Sequence, residues 1–89
     1  MRIRDLQISE ICEQDAHSLY RNTNVVLRIP EGKELTVRNQ KSLLRRANAI
    51  GHVVSFSGPY DRSEGKYVSV GFAGRESASK FVKELLQMK

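Results

Sequence analysis

The 89-residue chain reads as a single α+β domain spanning 1–89, an antiparallel sheet of three or four strands with helices mainly on one face. The predicted order is α-ββ-α-ββ-α. Three observations predict this class. Apolar residues recur at helical spacing in three windows, 8–20, 38–50 and 75–88. Runs rich in β-branched residues, punctuated by Pro and Gly turns, fill the intervals. An apolar share of 39% beside 28% charged residues can support a core, which argues against a disordered chain.

Met1 to Gln7 has no clear pattern; Arg2-Ile3-Arg4 is either a frayed arm or a short strand. From Ile8 to Tyr20 the apolar positions are Ile8, Ile11, Cys12, Ala16, Leu19 and Tyr20. This spacing predicts a first helix, with Ser9 as its N-cap and an acidic outer face. Val25 to Ile29 reads as a strand. Pro30-Glu31-Gly32-Lys33 is turn chemistry, and Leu35-Thr36-Val37 reads either as a returning strand or as a loop into the next helix. The second helix runs from about Arg38 to a glycine stop at Gly51, with Leu43, Ala47 and Ile50 on its buried stripe. His52 to Ser57 is a strand, 57–65 a long polar turn, and Lys66 to Phe72 the returning strand. Arg75 to Met88 is a third helix, with Ala78, Phe81, Val82 and Leu85 facing inward.

A sequence echo accompanies this order. Glu31-Gly32-Lys33-Glu34-Leu35-Thr36-Val37 matches Glu64-Gly65-Lys66-Tyr67-Val68-Ser69-Val70 as E-G-K-x-x-x-V. Each copy follows a Val-Val pair and precedes an amphipathic helix, so either a ββα unit is duplicated or two turns share a tripeptide by chance.

The chain carries 15 Lys and Arg against 10 Asp and Glu, a net charge of +5, which favours an anionic partner. Its N-terminus lacks the apolar stretch of a signal peptide, and no apolar run is long enough to span a bilayer. Cys12 is the single cysteine and can form no internal disulfide. These features fit a reducing, cytoplasmic setting without a membrane partner.

Catalytic machinery is hard to find. Cys12 and His17 are five residues apart, a poor match to facing positions on a helix; Cys12 fits better as a small core residue. His17 and His52 read as solvated or strand-end residues. There is no zinc-type Cys/His set and no glycine-rich phosphate loop, so no cofactor or metal is expected, and no enzyme.

The strongest chemical signal is the second helix. Between Glu34 and Asp61 there is no carboxylate at all. At 100° per residue Arg38, Lys41 and Arg45 lie opposite the apolar stripe, with Arg46 to one side, and Asn39, Gln40 and Asn48 add hydrogen-bonding groups. Several cations without competing acids are what tracking a phosphate backbone requires. A second signal is the 57–66 hairpin tip, where Tyr60, Arg62 and Lys66 could stack on a base or meet a backbone, although Asp61 and Glu64 dilute the charge. Two classes of function follow. One is a small nucleic-acid-binding protein or regulator, for DNA or RNA, using Arg38, Lys41, Arg45, Arg46 and Asn48 with the Tyr60–Lys66 tip. The other is a protein-interaction module, a small inhibitor or adaptor, whose basic helix docks on an acidic protein.

Gly65-Lys66-Tyr67-Val68-Ser69-Val70-Gly71-Phe72-Ala73-Gly74-Arg75-Glu76-Ser77-Ala78 resembles the strand-to-helix end of an RNA-recognition-motif domain. The resemblance covers about residues 65–86. It implies a ferredoxin-like local topology, with Tyr67 at an exposed aromatic position and Phe72 at the closing core aromatic. Ser69 stands where that family has its second stacking aromatic, Gly65 where it has a basic residue, and Val26 where the first strand would carry an aromatic. The chain ends before the family's final strand.

Strand parity places Val25, Leu27, Ile29, Val54, Phe56, Val68, Val70 and Phe72 toward the helices. Val26, Val53 and Tyr67, framed by Arg28, Ser55 and Ser69, fall on the other face as a small apolar patch. The first helix covers it, two copies pair through it as a homodimer, or a ligand stacks on Tyr67. Coverage or self-association is favoured, because the aromatics that stacking needs are absent.

Overall fold

The computed structural model describes residues 1–15 and 21–89. The elements are β1 (Gln7–Asp15), β2 (Arg21–Ile29), α1 (Val37–Ile50), β3 (Val53–Arg62), β4 (Gly65–Phe72) and α2 (Arg75–Gln87), with a short 3-10 turn at Ile3–Asp5 ahead of β1. The class is α+β, and the four strands form one antiparallel sheet in the order β1-β2-β4-β3. The element order is β-β-α-β-β-α, so the predicted leading helix is corrected to a strand. It also differs from the complete β-α-β-β-α-β order of ferredoxin-like folds: β2-α1-β3-β4-α2 matches its first five elements, and the remaining strand precedes that run as β1 instead of following it.

The physical reason lies in β-bulges. Along β1, Ile8 sits opposite Leu27 and Glu10 opposite Val26, so Ser9 is an extra residue. A bulge makes residues i and i+3 share a face, where a regular strand would pair i with i+2. Ile8 and Ile11 thereby imitate helical spacing while lying in a strand. The rest of the predicted helix, Ala16 to Tyr20 with His17, lies outside the described residues.

β3 repeats the effect. Val53 faces Phe72 and Ser55 faces Gly71, leaving Val54 as the extra residue. Val53 and Phe56 consequently pack against the core, whereas Val54 is exposed. Parity counting had exchanged Val53 and Val54. A second irregularity at Gly58-Pro59 separates the pairs Ser57–Ser69 and Tyr60–Tyr67. The expected polar turn over 57–65 is therefore mostly strand, and the hairpin closes through Ser63-Glu64.

Residues 35–37 form no strand. Leu35 is buried, and the Thr36 hydroxyl caps α1 by accepting the Asn39 N–H at 3.1 Å. The expected first ββα copy, with strands at 25–29 and 35–37, therefore does not form; the ββα runs are instead β1-β2-α1 and β3-β4-α2, with β2 and β4 meeting antiparallel at the sheet centre. The Glu-Gly-Lys echo does not mark equivalent places in those units. Gly32 lies between β2 and α1, whereas Gly65 opens β4 at the hairpin.

Both helices bury their predicted stripes on one sheet face. Leu43 and Ala47 of α1 and Ala78, Phe81 and Leu85 of α2 join Val25, Leu27, Ile29, Val68, Val70 and Phe72 in the core. Phe72 and Phe81 meet at 5.2 Å between ring centroids, tilted by 51°. Ile3, Leu6 and Leu35 close the core from outside the strands and helices of the sandwich.

Gly51 ends α1, donating its N–H to the Ala47 carbonyl. Its backbone is extended, so conformation does not demand a glycine there. Space does: a Cβ at Gly51 would overlap the Ser77 side chain near the start of α2. Gly51→Ala is expected to cost about 1–3 kcal/mol by overpacking. Adding Ser77→Gly should restore most of the loss in thermal denaturation, and a single variant as stable as the parent would contradict this close approach.

Candidate nucleic-acid interface

α1 presents Arg38, Lys41 and Arg45 to solvent, lining one open depression with Val37 and Ser42. Ser42 was not singled out in the sequence, although its i+4 relation to Arg38 places it beside the cations. Arg38 stands in the first helical turn, which holds no acid, where a cation opposes the helix dipole. Arg38–Lys41 and Lys41–Arg45 are like-charge neighbours at i,i+3 and i,i+4, each unfavourable by roughly 0.2–0.5 kcal/mol. Among the described residues none of the three has a carboxylate partner.

The other polar residues of α1 divide. Arg46 pairs with Glu84 of α2 at 3.6 Å, with both side chains close to half exposed. Asn39 donates to the Met1 carbonyl and Gln40 to the Leu35 carbonyl, so both serve the fold. Asn48 is exposed, and helical spacing puts it on the side of Lys41.

The hairpin residues do not join this surface. Tyr60 and Arg62 lie on the sheet face away from the helices. The Tyr60 hydroxyl shares a 2.6 Å hydrogen bond with Ser69, and its ring stacks on Tyr67 at 6.2 Å. The Arg62 guanidinium lies 5.5 Å from the Tyr60 centroid and 5.1 Å from that of Tyr67, and donates to Glu10 at 2.9 Å. Glu10 and Arg62 belong to β1 and β3, the two edge strands, so this contact spans the whole sheet face. Lys66 lines a separate cleft at the end of the sheet, together with Lys33.

The predicted three-residue patch reduces to two members. Val26 and Tyr67 share the face opposite the helices, and each is only 4% exposed. Val53 lies on the helix side. Tyr67 is held beneath Tyr60 and Arg62 rather than left open for stacking, unlike the exposed aromatic that the RNA-recognition-motif resemblance implied.

Glu10 titrates below the ordinary carboxylate range, because Arg62 donates to it and Cys12 hydrogen-bonds to it. Burial pushes the Cys12 thiol up, and the Glu10 charge adds to that shift, so Cys12 is held as the unreactive thiol. A depressed carboxylate contributes stability above its unfolded value and loses it as pH falls through the folded one. Glu10→Gln should thus lower stability at pH 7. The gap from the parent should narrow as pH drops below about 4. Urea denaturation at pH 7 and pH 3 checks this, and a gap that widens in acid would reverse the assignment. Asp5, lowered by the Arg2 backbone N–H it accepts, titrates in the same window in both proteins.

Comparisons with protein-family models, with curated proteins and with solved structures found no match to the chain. Among the described residues no group of three His, Cys, Asp or Glu side chains could hold a metal. Among the described residues no helix is long and apolar enough to cross a membrane.

Proposed function

We propose that the protein binds nucleic acid through its phosphate backbone, with Arg38, Lys41 and Arg45 of α1 as the contacting cations and Asn48 beside them. The observation that carries this reading is the charge pattern of α1. Three like charges stand together, Arg38 also against the helix dipole, without a carboxylate partner among the described residues. A fold gains nothing from such an arrangement, whereas a row of phosphates would neutralise it and release counterions. Arg46 is a secondary contact, since Glu84 already holds it.

Phosphate contacts carry no base information, so this reading covers DNA and RNA alike. Fluorescence anisotropy with duplex and single-stranded oligonucleotides, at a series of salt concentrations, tests it. Binding should weaken linearly on a log–log plot with salt. The variant carrying Arg38→Gln, Lys41→Gln and Arg45→Gln should lose that dependence. Binding unchanged by the triple substitution would remove α1 as the site. An acidic protein that binds α1 while oligonucleotides do not would replace nucleic acid as the partner.

A further inference from the structure

Glu31-Gly32-Lys33 and Glu64-Gly65-Lys66 occupy unlike places in the two ββα units, yet they converge in space. β2 ends where β4 begins, with Ile29 paired to Lys66, so the turn after β2 and the β3–β4 hairpin stand side by side. A cleft opens between them, lined by both tripeptides and by Arg28. Arg28 donates from Nη2 to the Glu64 carbonyl at 3.1 Å, while its Nε–H is buried with no acceptor among the described residues. Gly65 lets the guanidinium settle this closely, since a Cβ there would lie 3.3 Å from Nε, and its φ of +145° suits glycine alone. Among the described residues neither Glu31 nor Glu64 forms an ion pair with Arg28, Lys33 or Lys66.

A buried N–H of a cation left without an acceptor calls for one. Lys33 and Lys66 line the same cleft as Arg28. The two carboxylates of the rim leave the cleft with an excess of one positive charge before any ligand enters. We propose that this cleft binds a terminal phosphate group, a phosphate monoester or inorganic phosphate, held by Arg28, Lys33 and Lys66. The dianion offers several acceptor oxygens to groups that are donors only. The guanidinium supplies a directional contact, and the two lysines supply charge from either turn. The site is separate from the α1 depression and shares no lining residue with it.

The test is a titration of the ¹⁵N-labelled protein with sodium phosphate, at ionic strength held constant with chloride. Saturating shifts are expected at the Gly32, Lys33, Gly65 and Lys66 amides and at the Arg28 Nε–H. Lys33→Gln with Lys66→Gln should weaken the affinity by roughly tenfold or more, through loss of two charge-assisted contacts. Both lysines are exposed, so this variant should fold as the parent does. The triple α1 variant should bind phosphate unchanged, which separates failure of this site from failure of the nucleic-acid reading. Dimethyl phosphate, a diester, should produce no saturation. The inference is overturned by shifts that never saturate, by shifts that map to α1, by undiminished binding in the double lysine variant, or by equal binding of the diester.

Discussion

Phe72→Ala is expected to remove about 3–5 kcal/mol of folding stability, the usual cost of emptying a large aromatic site in a core. Phe72 has no exposed surface, lies on the central strand β4, and packs its ring at a tilt against Phe81 of α2. It therefore joins sheet to helix layer at the sheet centre. At about 0.05–0.15 kcal/mol per residue, a chain of this length holds only about 4–13 kcal/mol in total. The variant should be partly unfolded at 25 °C, or unfold at a much lower urea concentration with a similar slope. Leu43→Ala, which empties the matching site on α1, should cost about 2–5 kcal/mol. A Phe72→Ala protein with the urea midpoint of its parent would mean that this ring is not enclosed in solution.

The triple α1 variant should show the second large effect, on binding alone. Each phosphate contact contributes about 0.9 to the log–log salt slope on duplex DNA and about 0.7 on single strands. Losing Arg38, Lys41 and Arg45 should therefore flatten the slope by roughly 2–3. Backbone-only binding is already as weak as about 10⁻⁴–10⁻⁶ M at physiological salt, so the variant should fall below detection there. Folding should not suffer. The three side chains are exposed, and two like-charge helix pairs disappear with them. Thermal denaturation at or slightly above the parental temperature would show that the binding loss is local. Arg46→Gln offers a contrast: it breaks the contact to Glu84 and should flatten the slope by less than one contact.

The two helices that pack on the sheet were legible in the sequence almost to the residue. The stripe Leu43, Ala47 and Ile50 and the stripe Ala78, Phe81, Val82 and Leu85 all reach the core, because a 3.6-residue period survives folding unchanged. The basic face of α1 was legible for the same reason: its angular position follows once the opposite face is buried. The regular strands β2 and β4 were equally plain, with Val25, Leu27 and Ile29 and with Val68, Val70 and Phe72 alternating as a pleat requires.

Tertiary structure alone decided the rest. Single extra residues at Ser9, Val54 and Gly58-Pro59 reset strand parity, which no period in the sequence announces. They turned an apparent helix into β1, moved Val53 inward, and laid Tyr60 over Tyr67. Long-range pairing produced the Glu10–Arg62 contact, 52 residues apart, which commits Arg62 to the sheet face. It also gathered Arg28, Lys33 and Lys66 around one cleft, since only the antiparallel register of β2 and β4 brings those turns together. Periodicity within an element is a local property that the chain carries with it. Which strands are neighbours, and where a bulge offsets them, depends on pairing energy summed across the whole sheet.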